Sequence, residues 1–250
     1  GIGLQFQPSE VAKYTLLIAI AANVSNFGPE RIKSFRRGVV PLLLLMAPVA
    51  ILIYLQPNFS MLVILAVACF IMLVIAGVRG AQLSIMLFSG VGVGSVFMLL
   101  EGYRANRISS FQDPWSAGAG GYQLRQSLIA FGSGGLWGQG LGSSRQKFLF
   151  LPYGESDMIF AIIAEELGLV GAGLLVIAYA VLYSHCFRIA MRCRDMGGRM
   201  LAAGCAALLC IQTIVNMCVA TGLMPTTGQT LPFISSGATS MVVCMAVMGL

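Results

Sequence analysis

Seven stretches of this chain are almost continuously apolar: 11–27, 38–55, 60–78, 81–101, 158–187, 199–222 and 236–250. Crossing roughly 30 Å of hydrocarbon takes about 20 helical residues. In lipid a helix satisfies its own backbone groups, so runs of this length read as spans. The pattern predicts an all-α, polytopic transmembrane bundle of about seven helices, forming one integral membrane domain over 1–250. The fifth stretch exceeds what a bilayer needs and is expected to tilt or project. The last is short.

Composition strengthens this reading. Of 250 residues, 58% are hydrophobic and 10% charged, against about 25% charged in soluble domains. Mean hydropathy is +0.87. Too few polar groups remain to coat a water-facing surface. The net charge of +6 sits in short clusters between apolar runs rather than along one face, which excludes nucleic acid as a partner. The seven cysteines include no C-x-x-C pair and mostly lie inside apolar runs, so they read as small packing residues and imply no metal site. Gly1-Ile-Gly-Leu-Gln lacks a basic n-region, so no cleavable signal peptide is read. Both termini look cut, and a longer parent chain is expected.

Basic residues orient the spans. One connection holds Arg31, Lys33, Arg36 and Arg37, another Arg79, and a third Arg188, Arg192, Arg194 and Arg199. The intervening connections, Gln56–Phe59 and Met224–Ser235, carry no charge. The basic loops are therefore assigned to the cytoplasm. The long connection 102–157 falls outside despite its own cations, because long loops cross regardless of charge. Loops of this length are usually functional or disordered, and this one is not low-complexity. Within it, Leu124, Leu128 and Phe131 follow i, i+4, i+7 spacing, which predicts a short amphipathic helix at the membrane.

Several residues bear chemistry. The glycine-rich run 132–142 lacks the spacing of a nucleotide-phosphate loop. It reads as a flexible re-entrant turn whose N–H groups are free to meet a phosphate. Beside it, Ser143-Ser144-Arg145-Gln146-Lys147 offers two cations and two hydroxyls. This is either a solvated tip or a site for a pyrophosphate-bearing headgroup. Asp157 opens the fifth span at its outer end, as a helix-start acid or as a general base tuned by partial burial. Glu165 and Glu166 lie inside the same span, where acids are costly and often functional. Their plainer reading is an internal network with a partner on another helix. Glu10 and Lys13 are spaced to pair. The segment 225–237, with two prolines and glycines, cannot be regular helix and is expected to line the same cavity as Asp157. His185 is assigned no role, and Trp115 and Trp137 fit interfacial anchors.

These motifs occur in a telling order: Gln7-Pro8-Ser9-Glu10-x-x-Lys13, Leu55-Gln56-Pro57, Gly121-Tyr122-Gln123-x-x-Gln126-Ser127, Gly138-x-Gly140-Leu141-Gly142, Ser156-Asp157 through Gly168, and Pro232 through Gly237. In this the chain resembles the SEDS family of shape, elongation, division and sporulation proteins (FtsW, RodA, SpoVE) over nearly its whole length. Asp113-Pro114-Trp115 and Gln139 through Lys147 favour the FtsW and SpoVE types over RodA. The resemblance implies about ten helices, so the first three and a cytoplasmic tail would lie outside this sequence. It implies a peptidoglycan glycosyltransferase acting on lipid II in septal wall synthesis, with Asp157 as the catalytic base. Substrate contacts are implied at Arg145, Lys147, Gln126, Ser127, Ser144, Ser235 and Ser236, and polar cavity roles at Glu10, Lys13, Glu165 and Glu166. The resemblance fixes no cofactor, and a divalent cation is compatible with it. Implied partners are lipid II, a class B penicillin-binding protein transpeptidase, other division proteins and membrane lipid. The implied site is the bacterial inner membrane at the septum. Two positions depart from the family pattern: Ser156-Asp157-Met158 replaces Thr-Asp-Phe, and Ala238 replaces a glycine. Two rival functions stay open on the residues alone, a lipid-precursor flippase and a non-catalytic division scaffold.

Overall fold

The computed structural model describes residues 7–27, 29–56, 58–100, 110–115, 121–146 and 156–249. Among them the chain is helical and contains no strand. The helices are α1 (Pro8–Ser25), α2 (Pro29–Ile32), α3 (Val40–Leu55), α4 (Phe59–Ile75), α5 (Gly80–Leu100), α6 (Tyr122–Gly134), α7 (Ile159–Arg192), α8 (Met196–Ala220) and α9 (Ala238–Met248). Each apolar stretch read from the sequence is one of these helices, displaced by a few residues at its ends. The amphipathic helix expected in the long connection is α6. Among the described residues three helical segments, Phe35–Leu55, α7 and α8, are long and apolar enough to cross a membrane, and three more are apolar but shorter.

Local chemistry sets the ends. Pro8 starts α1, where its missing N–H costs nothing. Asn58 caps α4, its side chain accepting from Met61 N at 3.2 Å. Asp195 does the same for α8, accepting from Gly198 N at 2.7 Å. A five-residue π-helical turn, Phe35–Val39, leads into α3. Gly38 makes it feasible, because a Cβ there would collide with the Arg31 carbonyl.

The chain forms two compact units. The first comprises 1–91, 182–211 and 238–250. In it α1 packs on α3, α4 and α9, and α3 also packs on α4. Leu17, Ala68, Met72, Ala203 and Leu208 are fully buried. The second unit comprises 92–181 and 212–237, and holds α6, the start of α7 and the end of α8.

Burial is inverted relative to a water-soluble protein. Along α8, Gln212, Thr213 and Asn216 are buried to within 2% while Ile214 is 53% exposed. Along α7, Glu165 is buried and Leu169 exposed. Polar groups face inward and leucines outward when lipid is the solvent. The protein is therefore a multi-pass membrane protein.

Candidate functional site

Asp157 lies on a turn immediately before α7. The first helical N–H groups do not reach back to it. Ala161 N donates to Met158 O at 3.0 Å, and Ile162 N to the same oxygen at 3.4 Å. The two preceding carbonyls are instead taken by side chains. Ser235 Oγ donates to Ser156 O at 2.6 Å, and Asn216 Nδ2 donates to Asp157 O at 2.8 Å. The chain is thus held by side chains at the residue that carries the acid, just before the helix starts.

The same side chains order the segment 224–237. Asn216 Nδ2 also donates to Gln229 O at 2.7 Å. Gln212 Nε2 donates to Thr230 O at 3.0 Å. Tyr179 OH donates to Pro232 O, and Ser235 Oγ accepts from Leu231 N at 2.7 Å. A non-helical segment at this depth needs such internal partners, since lipid supplies none. Gly228 takes a left-handed φ of 64°, and a Cβ built on it would sit 3.7 Å from Asp157 Oδ2. The carboxylate therefore faces the main chain of this segment.

A second feature adjoins it in the same unit. α7 is broken at Gly168, with φ 69° and ψ −170°. The break strands main-chain groups on both sides, and the glycine-rich run supplies their partners. Gln139 N and Gly140 N donate to Glu165 O and Glu166 O, each at 3.0 Å. Leu169 N and Val170 N donate to Gly135 O and Leu136 O at 2.9 and 3.2 Å. The run is thus committed to α7 through its backbone. The Glu165 side chain completes the junction. Its carboxylate accepts from Ser144 Oγ at 2.5 Å, Arg145 N at 3.3 Å, Gln146 N at 3.4 Å and Ser133 Oγ at 3.4 Å.

A family model described as cell cycle protein, covering FtsW, RodA and SpoVE, matches residues 2–250. The chain belongs to the FtsW/RodA/SpoVE family. It is 38% identical to stage V sporulation protein E of Bacillus subtilis, over 100% of this chain and 68% of that protein. It is 40% identical to the probable peptidoglycan glycosyltransferase FtsW of Aliivibrio salmonicida, over 95% of this chain and 60% of that one. The chain therefore spans about two thirds or less of these relatives. Among solved structures, it matches a chain of a peptidoglycan synthase complex that coordinates polymerisation and crosslinking, at a TM-score of 0.79 and 28% identity, covering 99% of this chain and 69% of that one. It also matches the rod shape determining protein RodA of Thermus thermophilus, at a TM-score of 0.65 and 27% identity, covering 100% and 65%.

The residues singled out from the sequence fall differently on this FtsW/RodA/SpoVE frame. Asp157, Ser156 and Ser235 come together, as do Glu165, Ser144 and Arg145. Arg145 is exposed and Ser236 is exposed, whereas Gln126 and Glu166 are half-buried. Ser127 is fully buried and donates to Ala220 O at 2.6 Å, closing the end of α8. Ser144 and Ser235 are likewise buried, with hydroxyls engaged inside the protein. Lys147 lies outside the described residues, as do Glu155 and the side chain of Ala238. In the other unit Glu10 and Lys13 pair at 2.8 Å with both side chains buried. Glu165 meets a partner on another helix, Ser133 of α6, as expected, and in addition Ser144, Arg145 and Gln146 beyond the glycine-rich run that the break at Gly168 draws onto α7. Gln212, Asn216 and Tyr179 escaped notice as isolated polar residues in apolar runs. Gln212 and Asn216 are i, i+4, one helix face, and that spacing was their signal. Among the described residues no three metal-ligating side chains gather.

Proposed function

We propose that this chain is the membrane-embedded core of a peptidoglycan glycosyltransferase that polymerises lipid II. The observation that carries the reading is the built setting of Asp157. It is an acid at the mouth of an apolar helix, with both adjoining carbonyls clamped and its side chain against the left-handed Gly228. Such an acid suits general-base work, for which a carboxylate must be held within hydrogen-bond reach of the hydroxyl it deprotonates.

In this reading Asp157 takes the proton from the acceptor sugar hydroxyl. The oxygen then attacks the anomeric carbon of the donor, and the bond from that carbon to the lipid pyrophosphate breaks. The pyrophosphate leaves with its electron pair. The Arg145 guanidinium, exposed and carried on a loop fastened by Glu165, pairs with the leaving phosphates. Lys147 adds a second cation. The transpeptidase partner, a class B penicillin-binding protein, docks on the same protein, and the setting is the division septum.

The flippase alternative would use α7, because discontinuous helices bind cargo in transporters. Here the groups freed by the break are occupied by the glycine-rich run, which favours a fixed junction over a moving site. Asp157→Ala in the full-length protein with its partner should lower polymerisation of lipid II by at least the 10²–10⁴ that general bases contribute, roughly. Undiminished glycan product would remove the reading. Flipping of labelled lipid in vesicles by the same variant would point to the transporter instead.

A further inference from the structure

The Asn216 carboxamide is 1% exposed and gives its nitrogen to two main-chain oxygens, Asp157 O at 2.8 Å and Gln229 O at 2.7 Å. Both acceptors are carbonyls, so the amide has one permissible orientation; turned over, its oxygen would face two oxygens. Oδ1 is buried with no partner among the described residues. Buried unpaired acceptors are rare because each costs stability. What offsets that cost is the pair of main-chain oxygens that the Asn216 nitrogen holds.

What it holds is the register of α7. In a regular helix Ala161 N would donate four residues back, to Asp157 O. Here that oxygen accepts from Asn216, and Ala161 N donates to Met158 O. The carbonyl before it is held by Ser235. Without the clamp α7 can wind back through Asp157, and each residue added turns the chain by about 100° about the helix axis. The carboxylate would then leave the segment that carries Gly228.

We propose that Asn216 is the positioning residue of this site, the group that stops α7 short of Asp157 and so aims its carboxylate at the acceptor hydroxyl. This rests on the polymerase reading above. A misplacement of about 1 Å costs on the order of 100-fold in rate, and because the Asn216 nitrogen holds two main-chain oxygens the loss should fall on the chemical step.

The test is steady-state polymerisation of lipid II by the full-length protein with its partner, comparing Asn216→Ala, the isosteric Asn216→Asp, Asp157→Asn and wild type. Asn216→Ala and Asn216→Asp should lower kcat by about 100-fold, leave KM within about threefold, and remain folded by thermal unfolding. A kcat within about threefold of wild type, a loss confined to KM, or loss of folded protein in both variants would each overturn the positioning role. Asp157→Asn separates the two ideas. If it is active, the base reading falls. If it is inactive while both Asn216 variants are fully active, only the positioning role falls.

Discussion

Single polar side chains in this protein each organise several main-chain groups. Glu165 is the clearest case, with four donors converging on one carboxylate. Glu165→Ala removes the acceptor of Ser144 Oγ and of two N–H groups, and should cost about 1–3 kcal/mol for each group left buried and unpaired. Thermal unfolding of the purified protein would register it as a lowered midpoint. Glu165→Gln, which keeps one acceptor oxygen, should cost less. The pair Glu10–Lys13 behaves differently, since both charges are buried and Lys13 also lies 5.4 Å from the Tyr14 ring centroid. Removing Lys13 alone leaves an uncompensated charge and is expected to cost about 3–5 kcal/mol, whereas replacing both by apolar residues of similar volume is near neutral. A double-mutant cycle on unfolding midpoints would read the difference.

At the scale of elements, the decisive feature is that α7 is broken and repaired. Gly168 adopts φ 69°, and a Cβ there would collide with Gly138 N and Leu136 O. Gly138 has φ 81° and faces the Glu166 carbonyl just as closely. Each position therefore combines a left-handed backbone with a close approach, and only glycine meets both demands. Gly142 also has a positive φ of 74°, yet nothing lies within 4 Å of its missing Cβ. Gly168→Ala and Gly138→Ala should abolish accumulation of folded protein, while Gly142→Ala pays only backbone strain of about 1–2 kcal/mol. Size-exclusion profiles of the three variants in detergent would separate the cases. The amphipathic spacing of α6 was legible beforehand because a helix face repeats. The pairing of the glycine run with α7 was not, since backbone-to-backbone bonds leave no side-chain signature.

Over the whole molecule, charge and burial obey one rule. The helix ends and connections with Arg31, Lys33, Arg36, Arg37, Arg188, Arg192 and Arg194 are exposed and basic, while the exposed helix faces are apolar. Positive loops stay on the cytoplasmic side. In a cysteine-free full-length protein, single cysteines at Arg36 and Arg194 should react with impermeant reagents only from the cytoplasmic side, and one at Ser236 only from outside. Labelling of all three from one side would overturn the topology.

The apolar runs by themselves determined that this is a helical, multi-pass membrane protein, because a bilayer demands about 20 apolar residues per crossing whatever the neighbours do. The ordered motifs singled out Asp157, Glu165 and the 225–237 segment as candidates. Tertiary structure alone decided their partners. Asn216 reaches Asp157 across 59 positions and Ser235 reaches Ser156 across 79, and no local pattern encodes a contact between residues so far apart. The break at Gly168 belongs to the same class. Its glycine is visible in the chain, but whether a glycine bends, caps or passes unnoticed depends on which backbone arrives to take up the freed hydrogen bonds.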